Sequence, residues 1–318
     1  MRKNSAFIFI IFFLLLSCAK TEPANQPAAE TENRPAIDEN ASKLLKIKDS
    51  VAPFFQPMGE PEKYDWLASF KESGQTFEEY IGVNPTLPTA DRRTIYIQPL
   101  GEFSPTELKT LQLTADYMKA FYNLPVKMND VQPLGDIPAE MQRVLPTSGT
   151  KQLRTAYFLE KLLPEMLPSD AAAFICFTNY DLYPDENWHF VFGQATFEQR
   201  VGVWSLSRFG EPDKSAGDYR NFLARTLKIA MHETGHMFTM YHCTKYECLM
   251  SGTNHLDETD RRPLDVCPEC MAKIAWAFKY EPTTRYRNLA RFWQQQEGWS
   301  AHEKSFIAKA AAIEKASK

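Results

Sequence analysis

The sequence lacks a long hydrophobic run, a block of basic residues and an internal repeat. Its longest apolar run extends from Ala6 to Leu16, and eleven residues are too few to cross a bilayer comfortably. There is no basic cluster or basic–aromatic stripe and the net charge is −4, which argues against a nucleic-acid partner. The rest of the composition, 44% apolar and 24% charged over 318 residues, is that of a globular protein with a sizeable core.

The short apolar run has the surroundings of a secretion signal. Arg2 and Lys3 precede it and Cys18 follows it, an order typical of a bacterial lipoprotein signal peptide over residues 1–17. A lipidated Cys18 would hold the mature protein on a membrane surface. We therefore expect a lipid-anchored protein of the bacterial cell envelope, outside the cytoplasm. The alternative is an ordinary signal peptide with an incidental cysteine.

The composition then changes along the chain. Residues 18–36 contain three prolines and no aromatic residue, which is typical of a flexible tether. Residues 37–90 alternate short apolar clusters with prolines, so we expect short helices and loops that pack on the main domain. That main domain is predicted at residues 91–280, and a C-terminal helical extension at residues 281–318.

The main domain has the pattern of an α/β fold with three layers and a mixed sheet. Ser104, Pro105 and Glu107 mark the start of a helix that extends to about Tyr122. Asp218 is predicted to cap the helix that follows the last strand. Strands are predicted at residues 94–100, 126–131, 172–179, 190–195 and 200–208, and further helices at residues 151–163 and 301–316.

The strongest chemical signal is an H-E-x-x-H motif that begins at His232. Positions i and i+4 of a helix share one face, so His232 and His236 can direct two imidazoles at one metal ion. Glu233 is then placed to take a proton from a metal-bound water. His242 can join them only if the helix breaks after about Phe238 and the chain turns back. Three neutral nitrogens would leave zinc an open position for water, which is typical of a catalytic site.

A cluster of cysteines follows these histidines directly. Four of the six cysteines in the chain lie within 28 residues, and Met250 comes two residues after the second of them. The clustered residues are Cys243, Cys248, Cys267 and Cys270.

This order of histidines and cysteines resembles the archaemetzincins, a family of zinc metallopeptidases. The resemblance covers about residues 75–275, and further similar segments are found at residues 94–101, 181–184, 190–195, 205–208 and 260–265. It implies a metzincin-like zincin with the mixed sheet in an upper subdomain beside the active-site helix. It also implies a helical lower subdomain that zinc stabilises.

The resemblance further implies a role for each site residue. His232, His236 and His242 would bind the catalytic zinc, Glu233 would be the general base, and Met250 would lie beneath the metal in a Met-turn. The four clustered cysteines would hold a second, structural zinc, since four thiolates close a tetrahedral shell. Two disulfides are the rival arrangement, but the C-x4-C and C-x2-C spacings suit chelation better.

The substrate implied is a peptide or protein, bound by a monomeric enzyme. In metzincins a strand above the zinc pairs with extended substrate, and residues 200–208 are the predicted strand here. The competing hypothesis is a non-catalytic zinc-binding lipoprotein that retains the fold to bind peptides or a partner protein. The intact Glu233 favours the peptidase.

Thr239 is one departure from the family pattern. Metzincins carry glycine three residues after the second histidine, where the helix turns sharply. If that turn requires a positive φ, a β-branched residue there is strained by on the order of 1–3 kcal/mol.

Overall fold

The computed structural model of the chain describes residues 38–146 and 148–316, and all of these fall within one compact unit. The predicted signal peptide (residues 1–17), the lipidation site Cys18 and the tether (residues 18–36) lie outside the described residues. No helix in the described ranges is both long and apolar enough to cross a bilayer.

Helices and short strands alternate through the first two thirds of the described chain, and only helices follow. The helices are α1 (Glu39–Val51), α2 (Trp66–Ser69), α3 (Phe77–Gly82), α4 (Pro105–Tyr122), α5 (Leu163–Met166), α6 (Ala216–Met237), α7 (Leu256–Arg261), α8 (Pro268–Ala277), α9 (Pro282–Gln294) and α10 (Ser300–Ala316). The strands are β1 (Thr94–Pro99), β2 (Val126–Met128), β3 (Gln142–Val144), β4 (Lys151–Arg154), β5 (Ala171–Thr178), β6 (Asp181–Tyr183), β7 (Gly193–Ala195) and β8 (Val201–Ser205).

The main sheet has five strands in the order β2-β1-β5-β8-β7. The first four run parallel, and β7 pairs antiparallel with β8. All eight residues of β5 are buried, as expected for a central strand that is covered on both faces. The predicted mixed α/β architecture is therefore confirmed.

The strand that the sequence predicts to pair with substrate does not lie at the edge of the sheet. The sequence predicts that role for residues 200–208, but β8, which forms there, has β5 on one side and β7 on the other. Its backbone groups are thus engaged within the sheet. The edge strand next to β8 is β7. The sequence predicts that this strand forms but does not predict its place in the sheet.

The prediction of a helix over residues 151–163 is wrong in its first half. Lys151–Arg154 forms β4, which pairs with β3 and β6 in a second, three-stranded sheet. Helical backbone begins only at residue 155 and passes through a π-helical turn at Tyr157–Leu162 into α5. Gln152 and Leu153 are fully buried in this sheet, so pairing with β3 and β6 overrides the local helical pattern.

The helix starts follow local hydrogen bonding. The predicted start of α4 is confirmed, because Ser104 and Glu107 form a reciprocal capping box. For α6 the predicted cap was wrong: the N-cap is Ser215, whose hydroxyl accepts from the Asp218 N–H at 3.1 Å. Asp218 lies in the first turn instead, where a carboxylate stabilises the free N–H groups of the helix.

The C-terminal helices are tied to the loop beside the metal centre by one buried carboxylate. Asp265 accepts from Arg285 of α9 at 3.1 Å and from Lys309 of α10 at 2.8 Å. The Asp265 carbonyl in turn accepts from the Leu249 N–H at 3.1 Å. Leu249 directly precedes Met250, so this network holds the predicted Met-turn in place.

Candidate metal centre

Two of the predicted ligands lie on the last turns of α6. The Nε2 atoms of His232 and His236 are 3.1 Å apart. Two nitrogens bound to one tetrahedral zinc at about 2.0–2.1 Å would be roughly 3.3 Å apart. The i, i+4 spacing therefore places the two imidazoles as a shared metal requires.

The third histidine is returned to them by a sharp reversal after α6. Helix α6 ends at Met237, and Thr239 follows with a φ of 65°. The Met240 N–H donates back to the Gly235 carbonyl at 3.1 Å, which closes the helix end in the left-handed manner usually made by glycine. The ring of His242 then lies 5.2 Å from that of His232 and 5.0 Å from that of His236, centroid to centroid.

One nitrogen of each of these three histidines lies within 4.8 Å of the others. The predicted break after about Phe238 is thus confirmed, and the reversal takes place at the predicted position with a threonine in place of glycine.

The strained turn is held by residues from the segment before β1. The Thr239 hydroxyl accepts from the Thr86 N–H at 3.0 Å, and its carbonyl accepts from Gln75 Nε2 at 3.3 Å. The buried Tyr80 hydroxyl donates to the Phe238 carbonyl at 2.9 Å. Each of these bonds reaches across more than 150 residues of sequence.

The outward-facing nitrogen of each imidazole also has a partner. The Nδ1 atoms of His232 and His236 lie 2.9 Å from the Leu249 carbonyl and 2.6 Å from the Met240 carbonyl. His242 Nδ1 instead lies 2.9 Å from the carboxylate of Glu72. Sequence reasoning missed Glu72, since nothing in the residues around it signals a partner 170 positions later.

Glu233 lies next to β7. A Cβ built on Gly193 would come within 3.3 Å of the Glu233 Cγ, so the glycine permits the close approach of strand and carboxyl. Burial raises the pKa of Glu233 to about 7. Burial, followed by the neighbouring His242, lowers the pKa of His232 to about 3, so that ring is neutral at pH 7 and able to ligate. The contribution of Gly193 is a second feature that sequence reasoning did not find.

The four clustered cysteines converge on one another. Their sulfurs all lie within 4.8 Å of one another and the residues are buried. The Sγ atoms of Cys243 and Cys267 are 3.5 Å apart, whereas a disulfide needs about 2.05 Å and two thiolates on one tetrahedral zinc about 3.8 Å. Cys248 Sγ also accepts from the backbone N–H groups of Cys267 and Met250, at 3.1 and 3.4 Å. The donor set fits a tetrahedral zinc.

The Met250 side chain lies directly against α6. A Cβ on Gly235 would be 2.6 Å from the Met250 Sδ, so the missing side chain at position 235 makes room for the sulfur. The Cys243 N–H donates to the Met250 carbonyl at 2.8 Å. Histidine triad, methionine and cysteine cluster are therefore one contiguous assembly.

A third group of potential donors, Asp65, His255 and Glu258, also lies within 4.8 Å. Here the two carboxylates already face cations: Asp65 pairs with Arg261 at 2.6 Å and Glu258 with Arg262 at 2.8 Å. This group is an ion-pair network and a poor candidate for a metal.

Comparison with known proteins agrees with this geometry. A sequence model of Peptidase family M54 matches residues 170–276, which include the histidine triad and the cysteine cluster. Archaemetzincin-2 of Homo sapiens is 33% identical over 288 residues, covering 80% of this chain and 79% of that protein. The chain belongs to the archaemetzincins. Archaemetzincin-1 of Homo sapiens is 28% identical over 272 residues, covering 76% of this chain and 54% of that protein.

Among solved structures, the crystal structure of an archaemetzincin from Archaeoglobus fulgidus complexed with malonate is 27% identical. It covers 57% of this chain and 99% of that one, with a TM-score of 0.44. Family membership makes the chain a zinc metallopeptidase, and therefore a hydrolase. Zinc is the metal expected of the family, and both donor sets described above suit it.

Backbone strain at the turn can be measured by replacing Thr239 with alanine and, separately, with glycine. Both variants lose the hydroxyl that accepts from Thr86, so that bond cancels in the comparison. At a φ of 65° alanine keeps the Cβ that causes strain, and the glycine variant should be the more stable by about 1 kcal/mol. Chemical denaturation of both variants in excess zinc gives the difference.

The sign of the difference in stability between the glycine and alanine variants shows whether position 239 has a left-handed backbone. At an ordinary helical φ, glycine would be less stable than alanine by about 0.5–1 kcal/mol. An alanine variant at least as stable as the glycine variant would therefore contradict the left-handed turn at position 239.

Proposed function

We propose that this archaemetzincin hydrolyses peptide bonds with Glu233 as the general base, beside a zinc ion held by His232, His236 and His242. The convergence of three imidazole nitrogens within 4.8 Å, with Glu233 on the same helix, carries the proposal. Zinc in this position would act as a Lewis acid that polarises the scissile carbonyl and lowers the pKa of a bound water.

The chain's own groups then handle the proton and the substrate. A carboxylate oxygen of Glu233 accepts a proton from the attacking water and passes it to the nitrogen of the leaving amine. We place the extended peptide along β7, because Gly193 brings this strand against Glu233. The substrate is a peptide or protein, and the enzyme acts as a monomer.

We also propose a second zinc, bound by the four clustered cysteines and structural in role. Four protein ligands leave no open position for substrate. The spacing of 3.5 Å between Cys243 Sγ and Cys267 Sγ supports this over two disulfides. Because Cys243 follows His242 directly, this zinc would fix the chain just beyond the third catalytic ligand.

The alternative is a non-catalytic zinc-binding lipoprotein that binds peptides or a partner protein. The feature that favours it is Thr239, because a strained residue at the turn would hold His242 away from the other histidines. One nitrogen of His242 lies within 4.8 Å of a nitrogen of each of the other two histidines despite the threonine, and together with the intact Glu233 this favours the peptidase.

Glu233→Gln should retain both zincs and the melting temperature but lose peptide hydrolysis by about 10²–10⁴-fold. The amide has nearly the same shape as the carboxylate but cannot accept the proton. Turnover of a mixed peptide library and metal analysis of residues 37–318 measure the two effects. Asp218→Asn, at the opposite end of α6, is the matched control and should remain active. Full turnover in Glu233→Gln would show that the catalytic base is another group.

Cys267→Ser should lose one of two zincs per chain and lower the free energy of unfolding by more than about 4 kcal/mol. The three remaining thiolates cannot close the tetrahedral shell. Metal analysis and denaturation of protein prepared under reducing conditions test this. Cys176→Ser is the control, because Cys176 is buried in β5 away from the cluster and its loss should leave both zincs bound. One zinc and two disulfides in the wild type would contradict the proposal.

The location in the cell is a further proposal, supported by the sequence around Cys18. We propose that the protein is anchored in the bacterial cell envelope by a lipidated Cys18. When the full chain is produced in a bacterial host, the wild type should fractionate with membranes and Cys18→Ser should not, while Cys176→Ser should behave as the wild type. A wild-type protein recovered wholly in the soluble fraction would rule out the anchor.

A further inference from the structure

We propose that Glu72 is a positioning residue for the metal centre: it fixes the tautomer and the orientation of His242. The segment before β1 would then complete the metal site. The inference rests on the proposed function, because it assumes a metal held by the histidine triad. Glu72 lies outside the span that matches the family model.

The chemical argument starts from the two nitrogens of an imidazole. A ring that binds metal through one nitrogen must carry its proton on the other, and an acceptor at that second nitrogen selects the tautomer. Carbonyl oxygens serve His232 and His236. For His242 both carboxylate oxygens of Glu72 lie near Nδ1, at 2.9 and 3.0 Å. Nε2 of His242 is thereby left as the ligating nitrogen.

Glu72 carries a negative charge, whereas the carbonyl oxygens beside His232 and His236 are neutral, so of these three partners only Glu72 can act on a bound metal ion through a net charge. A carboxylate opposite the N–H raises the basicity of the imidazole and offsets part of the charge of a bound cation. The Glu72 side chain is 29% exposed and that of His242 18%, so solvent screens the pair only in part. The contact is on Nδ1, the side away from the metal, so the segment supports the site and does not block it.

The segment that carries Glu72 is anchored both before and after that residue. The Trp66 ring stands edge-on to the His242 ring, with centroids 5.0 Å apart. The Trp66 N–H donates to Glu258 at 3.0 Å, which fixes the residue against α7. On the other side Gln75 Oε1 accepts from the Tyr241 N–H at 3.2 Å and from Lys273 at 3.1 Å. Residues 66–75 therefore contact the chain at His242 and at the preceding residue, Tyr241.

The test compares wild type, Glu72→Gln and the control Glu60→Gln in residues 37–318. Glutamine keeps the size of Glu72 but has no charge, and its amide can either accept from Nδ1–H or donate to a bare Nδ1, so it imposes no tautomer. Glu60 is an exposed carboxylate of the same segment. The probe is Zn²⁺ itself, titrated against a chromogenic chelator after the cysteine cluster has been filled.

We expect Glu72→Gln to bind Zn²⁺ at the histidine triad about 10–100-fold more weakly than wild type and Glu60→Gln. The cysteine-bound zinc and the melting temperature without metal at the triad should be the same in all three proteins. Co²⁺ at the triad gives a second readout, since its visible spectrum depends on how the three nitrogens surround the ion. That spectrum should change in Glu72→Gln only.

Two results would overturn the inference. Equal Zn²⁺ affinity in wild type and Glu72→Gln would show that the carboxylate does not act on the metal. A loss of affinity with an unchanged Co²⁺ spectrum and a lower melting temperature without triad metal would assign Glu72 a purely structural role. The proposed function fails differently: the wild type would then bind no metal at the triad, or Glu233→Gln would keep full turnover.

Discussion

The metal centre depends on the chain reversal at Thr239. A helix advances about 100° per residue, so a continued α6 would carry His242 to the face opposite His232 and His236. The left-handed backbone at position 239 prevents this and returns His242 to the triad. For a β-branched residue that conformation costs on the order of 1–3 kcal/mol, which other contacts must offset.

Those contacts come from the segment before β1. Thr86 and Gln75 bond to Thr239 itself, and Tyr80 bonds to the Phe238 carbonyl one residue earlier. Three hydrogen bonds at about 1 kcal/mol each are comparable with the strain. This segment, predicted only to pack on the main domain, thus stabilises the turn that the metal centre requires and also supplies Glu72 to His242.

The other side of His242 is restrained by the cysteine cluster. Cys243 is the next residue, its N–H bonds to the Met250 carbonyl, and its sulfur faces Cys267 at the start of α8. Asp265 connects the same region to α9 and α10 through Arg285 and Lys309. His242 is accordingly fixed from both directions, by elements that are far apart in the sequence. This explains how a single non-glycine residue at the turn is compatible with a closed triad.

Features that depend on near neighbours could be predicted from the sequence. The spacing of His232 and His236 places both on one helix face, the capping box at Ser104 starts α4, and the break after α6 follows from His242. Only the tertiary structure decided the strand order and the contacts between residues that lie far apart in the sequence. Lys151–Arg154 became a strand because the distant β6 flanks it in addition to the nearby β3, and β7 became the edge of the sheet beside Glu233. Glu72 reached His242 across 170 residues. Local patterns encode helical periodicity and caps, whereas strand neighbours and such long-range contacts arise only when the chain has folded back on itself.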